Sequence, residues 1–407
     1  MNPAEEPGSN SRRAGCVGRV GGAVAILFLG WYLYWLLASV DRYPCEYTFK
    51  QFLFDYRYGI VRRALEGEVV RHVFPPPYSA HLFIHFNLVV MALALSLFFA
   101  MAAIAVVRRR SSALLIVIFA AATSPLVFKN YLYDQGRQDV FGLLLTEILV
   151  ICGLMGWDVA ATIIFGASVV PLCLVADNHL FLFIPTCLAL VAFRWDGERI
   201  ELRRYSWVPF FACAVALALS LTLPRPSIPL GEYTNYLQSK SVDTFSPGIQ
   251  PEFWLYASVG KNLGYAKLEF RRLAPMYKEH ALDFIFAAAV NLVVAFVAAS
   301  TLRARRAMVV RYAALVSGIA LCYIPLYLLA ADVSRWTSNL TTCLYMVAIS
   351  ATSRFGSSAA VGATVLVGVV VFQVMVHHGF GIEEPIAYEV SSIAKGILNT
   401  MDVRRLW

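Results

Sequence analysis

Charge is what this sequence has least of. Asp, Glu, Lys and Arg make up 15% of its residues, against about 25% in a typical soluble domain. With 59% of residues hydrophobic, that scarcity excludes a soluble domain. No CxxC or Cys/His spacing marks a metal site, and no cofactor motif stands out. Of the eight cysteines, Cys152, Cys173, Cys187, Cys213, Cys322 and Cys343 lie inside apolar runs, where thiols behave as small hydrophobes. Only Cys45 lies in a long loop, so no disulfide framework is expected. The sequence shows no internal repeat and no inverted symmetry between its halves, which counts against a secondary transporter. The net charge of +8 is no nucleic-acid footprint, because most of the arginines sit in short clusters between apolar runs.

What remains is a succession of apolar runs of about 20 residues, the length of a membrane-crossing helix. The expected fold is all-α, a polytopic transmembrane bundle of about 11 spans with interfacial helices in long external loops. The spans are Gly21 to Val40, His81 to Val107, Ser111 to Phe128, Val140 to Gly156, Val159 to Ala176, Leu180 to Phe193, Ser206 to Leu223, Asp283 to Leu302, Met308 to Ala331, Leu340 to Ser353 and Ala359 to Val376. Residues 1–407 read as a single integral membrane domain. Arg12, Arg13 and Arg19 before the first span place the N-terminus in the cytoplasm. The first span is too long for the core of a signal peptide, and no cleavage site follows it. Residues 41–80 and 224–282 then form long external loops, and 377–407 an external tail. Arginine clusters such as Arg108-Arg109-Arg110 fall in the connections assigned to the inside, as the charge rule requires.

The first loop carries the stretch Asp55-Tyr-Arg-Tyr-Gly-Ile-Val-Arg-Arg-Ala-Leu-Glu-Gly67. At helical periodicity Phe54, Tyr58, Val61 and Leu65 share one face. Asp55, Arg62 and Glu66 share the other, with Arg63 nearby and Gly59 leaving a gap between Asp55 and Arg62. This pattern predicts an amphipathic helix lying in the membrane interface. Three further charged sets lie at span ends facing the same side: Asp134, Arg137 and Asp139; Asp177 and His179; Asp332 and Arg335, followed by Trp336. Acids and arginines mixed in such short turns suit a phosphate site, since the guanidinium fork donates paired hydrogen bonds. A carboxylate, or His179, beside them could serve as general base. Glu147 lies inside a span and takes no assigned role. His377-His378 has no third ligand, so no metal site is expected there. Asn339-Leu-Thr341 matches a glycosylation sequon but is pressed against a span.

The layout resembles polytopic membrane glycosyltransferases of the GT-C kind and polymerases of bacterial surface polysaccharides. The resemblance implies a bacterial inner (cytoplasmic) membrane protein, working among membrane lipids without a cofactor. It would transfer sugar from a polyprenyl-phosphate-linked donor to a glycan or lipid acceptor at the outer face. It implies Asp55 as the catalytic base, and His179, by its own chemistry, is the second catalytic candidate. Arg62, Arg63, Arg137 and Arg335 would hold the donor phosphate, and Trp254 with the loop tyrosines would contact sugar; Arg57, Asp134, Asp139, Asp177, Asp332 and Trp336, beside those arginines in the sequence or in the same charged sets, are the further candidates for substrate binding. The paired acidic motif of GT-C enzymes is absent, because Asp55 is followed by Tyr56-Arg57; arginines stand in its place. Two other functions fit the same charges: a transporter or flippase for an anionic lipid-linked substrate, and a non-catalytic assembly subunit.

Overall fold

The computed structural model describes residues 23–24, 26–34, 46–109, 111–124, 126–128, 131, 136–195, 200–246, 251–256, 306–329, 333–355, 376–379 and 387–390. The chain is mostly helical. Among the described residues three helices are long and apolar enough to cross a membrane: Ala80–Arg109, Asp158–Val175 and Val309–Tyr327. The eighth expected span lies outside the described residues, as does all of the eleventh except Val376.

The bundle is built around α5 (Asp139–Met155). It packs against α3 (Ala80–Ile104), α6 (Asp158–Val175), α7 (Ile184–Ala192) and α13 (Val333–Phe355). Helices α4 (Ser112–Thr123), α8 (Trp207–Thr222) and α11 (Arg306–Cys322) complete the layer around them, with the short α12 (Ile324–Leu329) leading into α13. Serines start α3 and α4 where the sequence changes from polar to apolar. Ser79 accepts from the Leu82 amide at the head of α3, and Ser111 from the Leu114 amide at the head of α4, each satisfying an N–H that a helix start leaves open. Gly156, with φ 78°, ends α5 in a left-handed turn. Two arginines of the π-helical turn Ala105–Arg109 bind the freed carbonyls there: Arg108 reaches Met155 O at 3.2 Å and Arg109 reaches Leu154 O at 2.6 Å. Cationic groups at a helix C-terminus also complement its dipole.

Two antiparallel ribbons interrupt the all-α expectation. β1 (Phe193–Trp195) pairs with β2 (Ile200–Leu202), with Arg194 opposite Glu201. In the expected external tail, β3 (Val376–Gly379), which starts at the last residue of the expected eleventh span, pairs with β4 (Ala387–Val390).

The two long loops fold together into a cap with its own core. The first supplies α1 (Glu46–Phe52) and α2 (Leu65–Val73); the second supplies α9 (Leu230–Ser239) and α10 (Phe253–Tyr256). Phe49, Phe52, Phe54, Val61, Tyr78, Phe83, Tyr233 and Leu237 form that core, all buried. Backbone bonds lock the loops together: Tyr78 N–H to Lys240 O at 2.7 Å, Val242 N–H to Tyr78 O at 2.8 Å and Ser227 N–H to Tyr58 O at 2.9 Å. Of the expected amphipathic helix over residues 55–67, only the end from Leu65 is helical, as the start of α2. Gly59 (φ 114°) and Arg63 (φ 62°) both take left-handed backbone, which breaks the helical periodicity. The chain turns through residues 53–64 before α2 begins. Asp55 and Arg62 therefore do not share a helix face.

Candidate functional site

At the cap end of the bundle, four separate chain segments bring their charges together. Arg63 of the first loop donates from Nε to Asp177 Oδ1 at 2.8 Å, and Arg62 stands 3.6 Å from Asp177 Oδ2. Asp177 lies in the 3-10 turn Asp177–Leu180 between α6 and α7. Arg335, in the first turn of α13, grips Asp139 at the head of α5 with a bidentate fork, Nε to Oδ2 at 2.5 Å and Nη2 to Oδ1 at 2.6 Å. Asn339 donates to the same carboxylate at 2.8 Å and accepts from the Tyr131 hydroxyl at 2.8 Å. The Arg137 guanidinium lies 5.9 Å from the centre of the Tyr47 ring, and that of Arg335 4.7 Å from the Trp336 ring. Asp134 and Asp332 lie outside the described residues.

Gln138 ties the two acid–arginine pairs together. Its backbone carbonyl accepts from His179 Nε2 at 3.2 Å, and its side-chain amide donates to Glu66 Oε2 at 3.1 Å. A carbonyl partner fixes the neutral His179 tautomer with its proton on Nε2. Nδ1 has no hydrogen-bond partner among the described residues and faces Gly142 of α5. His179 is fully buried. Burial drives its pKa down to about 4, against the upward pull of Asp139, so the ring is neutral at pH 7. Glu66 moves the other way. Burial raises its carboxyl to about 7, and the Gln138 hydrogen bond opposes this only in part. Burial would also raise Asp139 and Asp177. Their arginines outweigh it, taking Asp139 down to about 2 and Asp177 below the usual carboxylate range.

Asp55 belongs to a different cluster. It is 1% exposed, inside the cap. Lys240 reaches its Oδ2 at 3.0 Å, the Tyr236 hydroxyl donates to the same oxygen at 2.6 Å, and the Arg57 amide donates to Oδ1 at 3.1 Å. Arg71 stands 3.9 Å away and pairs more closely with Glu68 at 2.6 Å. Burial pulls Lys240 down, while Asp55 holds it up. The Arg57 guanidinium, on an exposed residue, lies 5.3 Å from the Tyr236 ring centre and 5.9 Å from that of Tyr58. The geometry thus makes Asp55 a clasp between the two long loops, apart from Arg62 and Arg63.

Four residues central to this arrangement carried no expected role. Glu66 and Gln138 were visible as polar residues next to charged ones. Asn339 was visible as a sequon amide pressed against a span, and its full burial between Asp139 and Tyr131 is incompatible with glycan attachment. Lys240 had no local signal, because its partner lies 185 residues away.

Among the described residues no group of three or more His, Cys, Asp or Glu side chains is placed to hold a metal ion. No family model, curated protein or solved structure matches this chain.

Proposed function

We propose that this chain is a polytopic membrane protein of about 11 spans with a cytoplasmic N-terminus. In this reading the cap lies at the outer face and binds the phosphate of a polyprenyl-phosphate-linked sugar. The sugar passes to a glycan or lipid acceptor. The observation carrying this reading is the convergence of Arg62, Arg63, Arg137 and Arg335 on one end of the bundle. Among the described residues of that cluster, only Asp139 and Asp177 balance them as firmly ionised carboxylates. A local cationic excess beside an apolar bundle suits an anionic headgroup on a lipid tail.

Arg62 is the arginine best placed to receive the phosphate. Its side chain is 24% exposed and its contact with Asp177 is long, at 3.6 Å. Arg63 and Arg335 are each already engaged by a carboxylate and would shape the site through those pairs. Stabilising charge as the phosphate departs would be the main catalytic contribution. Glu66, poised near neutrality, is the acid/base group this reading favours for the acceptor hydroxyl. Asp55 keeps the cap closed.

The test is turnover in proteoliposomes loaded with a polyprenyl-phosphate-linked sugar and an acceptor extract. The transferase reading expects release of polyprenyl phosphate, lost in Arg62→Gln. Movement of intact donor between leaflets without release would replace it with the transporter reading. The membrane-buried Glu147 favours that second reading.

A further inference from the structure

The polarity of α2 is inverted for a helix in water. It buries Glu66, at 5% exposure, together with Gly67 and Val70, and leaves Val69 54% and Val73 63% exposed. Phe74, Pro75, Pro76 and Pro77, which follow it, are exposed as well. Gly67 marks the docked side, because a Cβ there would run into the Phe52 and Phe54 carbonyls. Val69, two residues on, points about 200° round the axis from that contact, and Val73 stands about one turn beyond Val69. α9, contributed by the other long loop, has the ordinary polarity. It buries Tyr233 and Leu237 and exposes Glu232, Asn235 and Ser239. Two helices of one cap therefore face different surroundings.

The apolar side of α2 adjoins helices that can cross a membrane. The Tyr78 hydroxyl donates to Phe74 O at 3.1 Å, and the Val242 N–H donates to Tyr78 O at 2.8 Å, so the exposed Val242 extends the patch. Asp243, next to it, accepts from the Ala80 amide at 2.8 Å at the head of α3. α3 and the π-helical turn after it run for 30 residues, about 45 Å at 1.5 Å per residue. The hydrocarbon core of a bilayer takes up about 30 Å. The surplus carries the ends of this helix into the headgroup layers, and the patch is tethered to one of those ends. Further along α3 the exposed side chains Val89, Leu93 and Phe99 continue the apolar surface. α2 also packs on α6, a second helix long and apolar enough to cross.

We propose that Val69, Val73 and Phe74 of the α2 segment, with Val242, form a lipid-contacting surface bedded in the headgroup–acyl boundary of the leaflet on the cap side. Apolar groups placed there leave the water that the patch would otherwise meet. The inner side of α2 then presents Glu66 to Gln138 from a helix seated on the bilayer. The inference rests on the bundle lying in a membrane and not on sugar transfer.

Nitroxide spin labels on the full chain in phosphatidylcholine vesicles test this. They are attached in Val69→Cys and Val73→Cys, with Leu93→Cys on α3 and Asn235→Cys on α9 as references, and the signal of the labelled wild type is subtracted. All four positions are exposed, so the labels leave the core intact. Oxygen concentrates in lipid, and a water-soluble nickel chelate stays out of it. The expected result is relaxation dominated by oxygen at Val69 and Val73, less strongly than at Leu93, and dominated by nickel at Asn235. Nickel-dominated relaxation at either α2 position, with Leu93 in lipid, would overturn the proposal and leave the membrane placement standing. Weak relaxation by both reagents would show the patch covered by protein, a second copy or another part of the chain, and would overturn it too. Nickel-dominated relaxation at Leu93 would remove the membrane placement and the proposal with it.

Discussion

Glu66 and His179 share one residue, Gln138, and titrate in opposite senses, so their effects on stability should hide each other. The folded Glu66 holds its proton up to about pH 7, while an unfolded glutamate loses it near 4.5. Between those values the native state binds the extra proton, so stability falls as pH rises. At about 1.4 kcal/mol per pH unit the loss is about 3 kcal/mol. The folded His179 gives up its proton at about 4, while an unfolded histidine keeps it to about 6.5. In that window the unfolded state binds the extra proton, so stability rises with pH, again by about 3 kcal/mol. From about pH 4.5 to 6.5 the two slopes cancel. Asp139 and Asp177 do not disturb the comparison, because their native carboxyls titrate below it. Glu66→Gln keeps the hydrogen bond to Gln138 and should unmask the histidine, giving stability that climbs from pH 4.5 to 6.5. His179→Gln should unmask the glutamate, giving stability that declines from pH 4.5 to 7. Unfolding in detergent, followed by circular dichroism at half-unit pH steps, reads both. Identical pH profiles for the wild type and both variants would refute the reasoning.

Gly142→Ala should destabilise by about 1–3 kcal/mol, the usual cost of overpacking. Its Cβ would lie 2.2 Å from Phe183 Cδ2 and 2.9 Å from His179 Nδ1. A melting temperature equal to wild type would contradict the close approach of α5 to the 177–183 turn. Lys240→Met removes the nearer of two cations from the buried Asp55, leaving Arg71 at 3.9 Å, and should cost about 3 kcal/mol, the low end of the range for breaking a buried pair. Adding Asp55→Asn should restore part of that loss, and additive effects in the double-mutant cycle would show that the two side chains do not interact.

The helical character was legible from the apolar runs, and among the described residues three of the helices are long and apolar enough to cross a membrane. Asp139, Asp177, His179 and Arg335 were legible as charges at the ends of those runs. Their pairing was not, since Arg335 meets Asp139 across 196 residues and no local pattern encodes such a contact. The first loop misled for a nearer reason. Phe54, Tyr58, Val61 and Leu65 do repeat at helical spacing, but the left-handed backbone at Gly59 and Arg63 overrides it. Glycine signals that freedom. Arginine does not, and no local pattern foretells that Arg63 adopts it. The cap stayed hidden because its aromatic core joins two loops from distant parts of the chain, each unremarkable alone.

The most direct test of an outer phosphate site is equilibrium binding of a polyprenyl phosphate, with the uncharged polyprenol as control, to the purified chain in detergent. The phosphate should bind more tightly than the alcohol, and Arg62→Gln should remove about 1.4 kcal/mol of that preference, a tenfold change in Kd. Equal affinity for phosphate and alcohol, or an unchanged preference in Arg62→Gln, would contradict it.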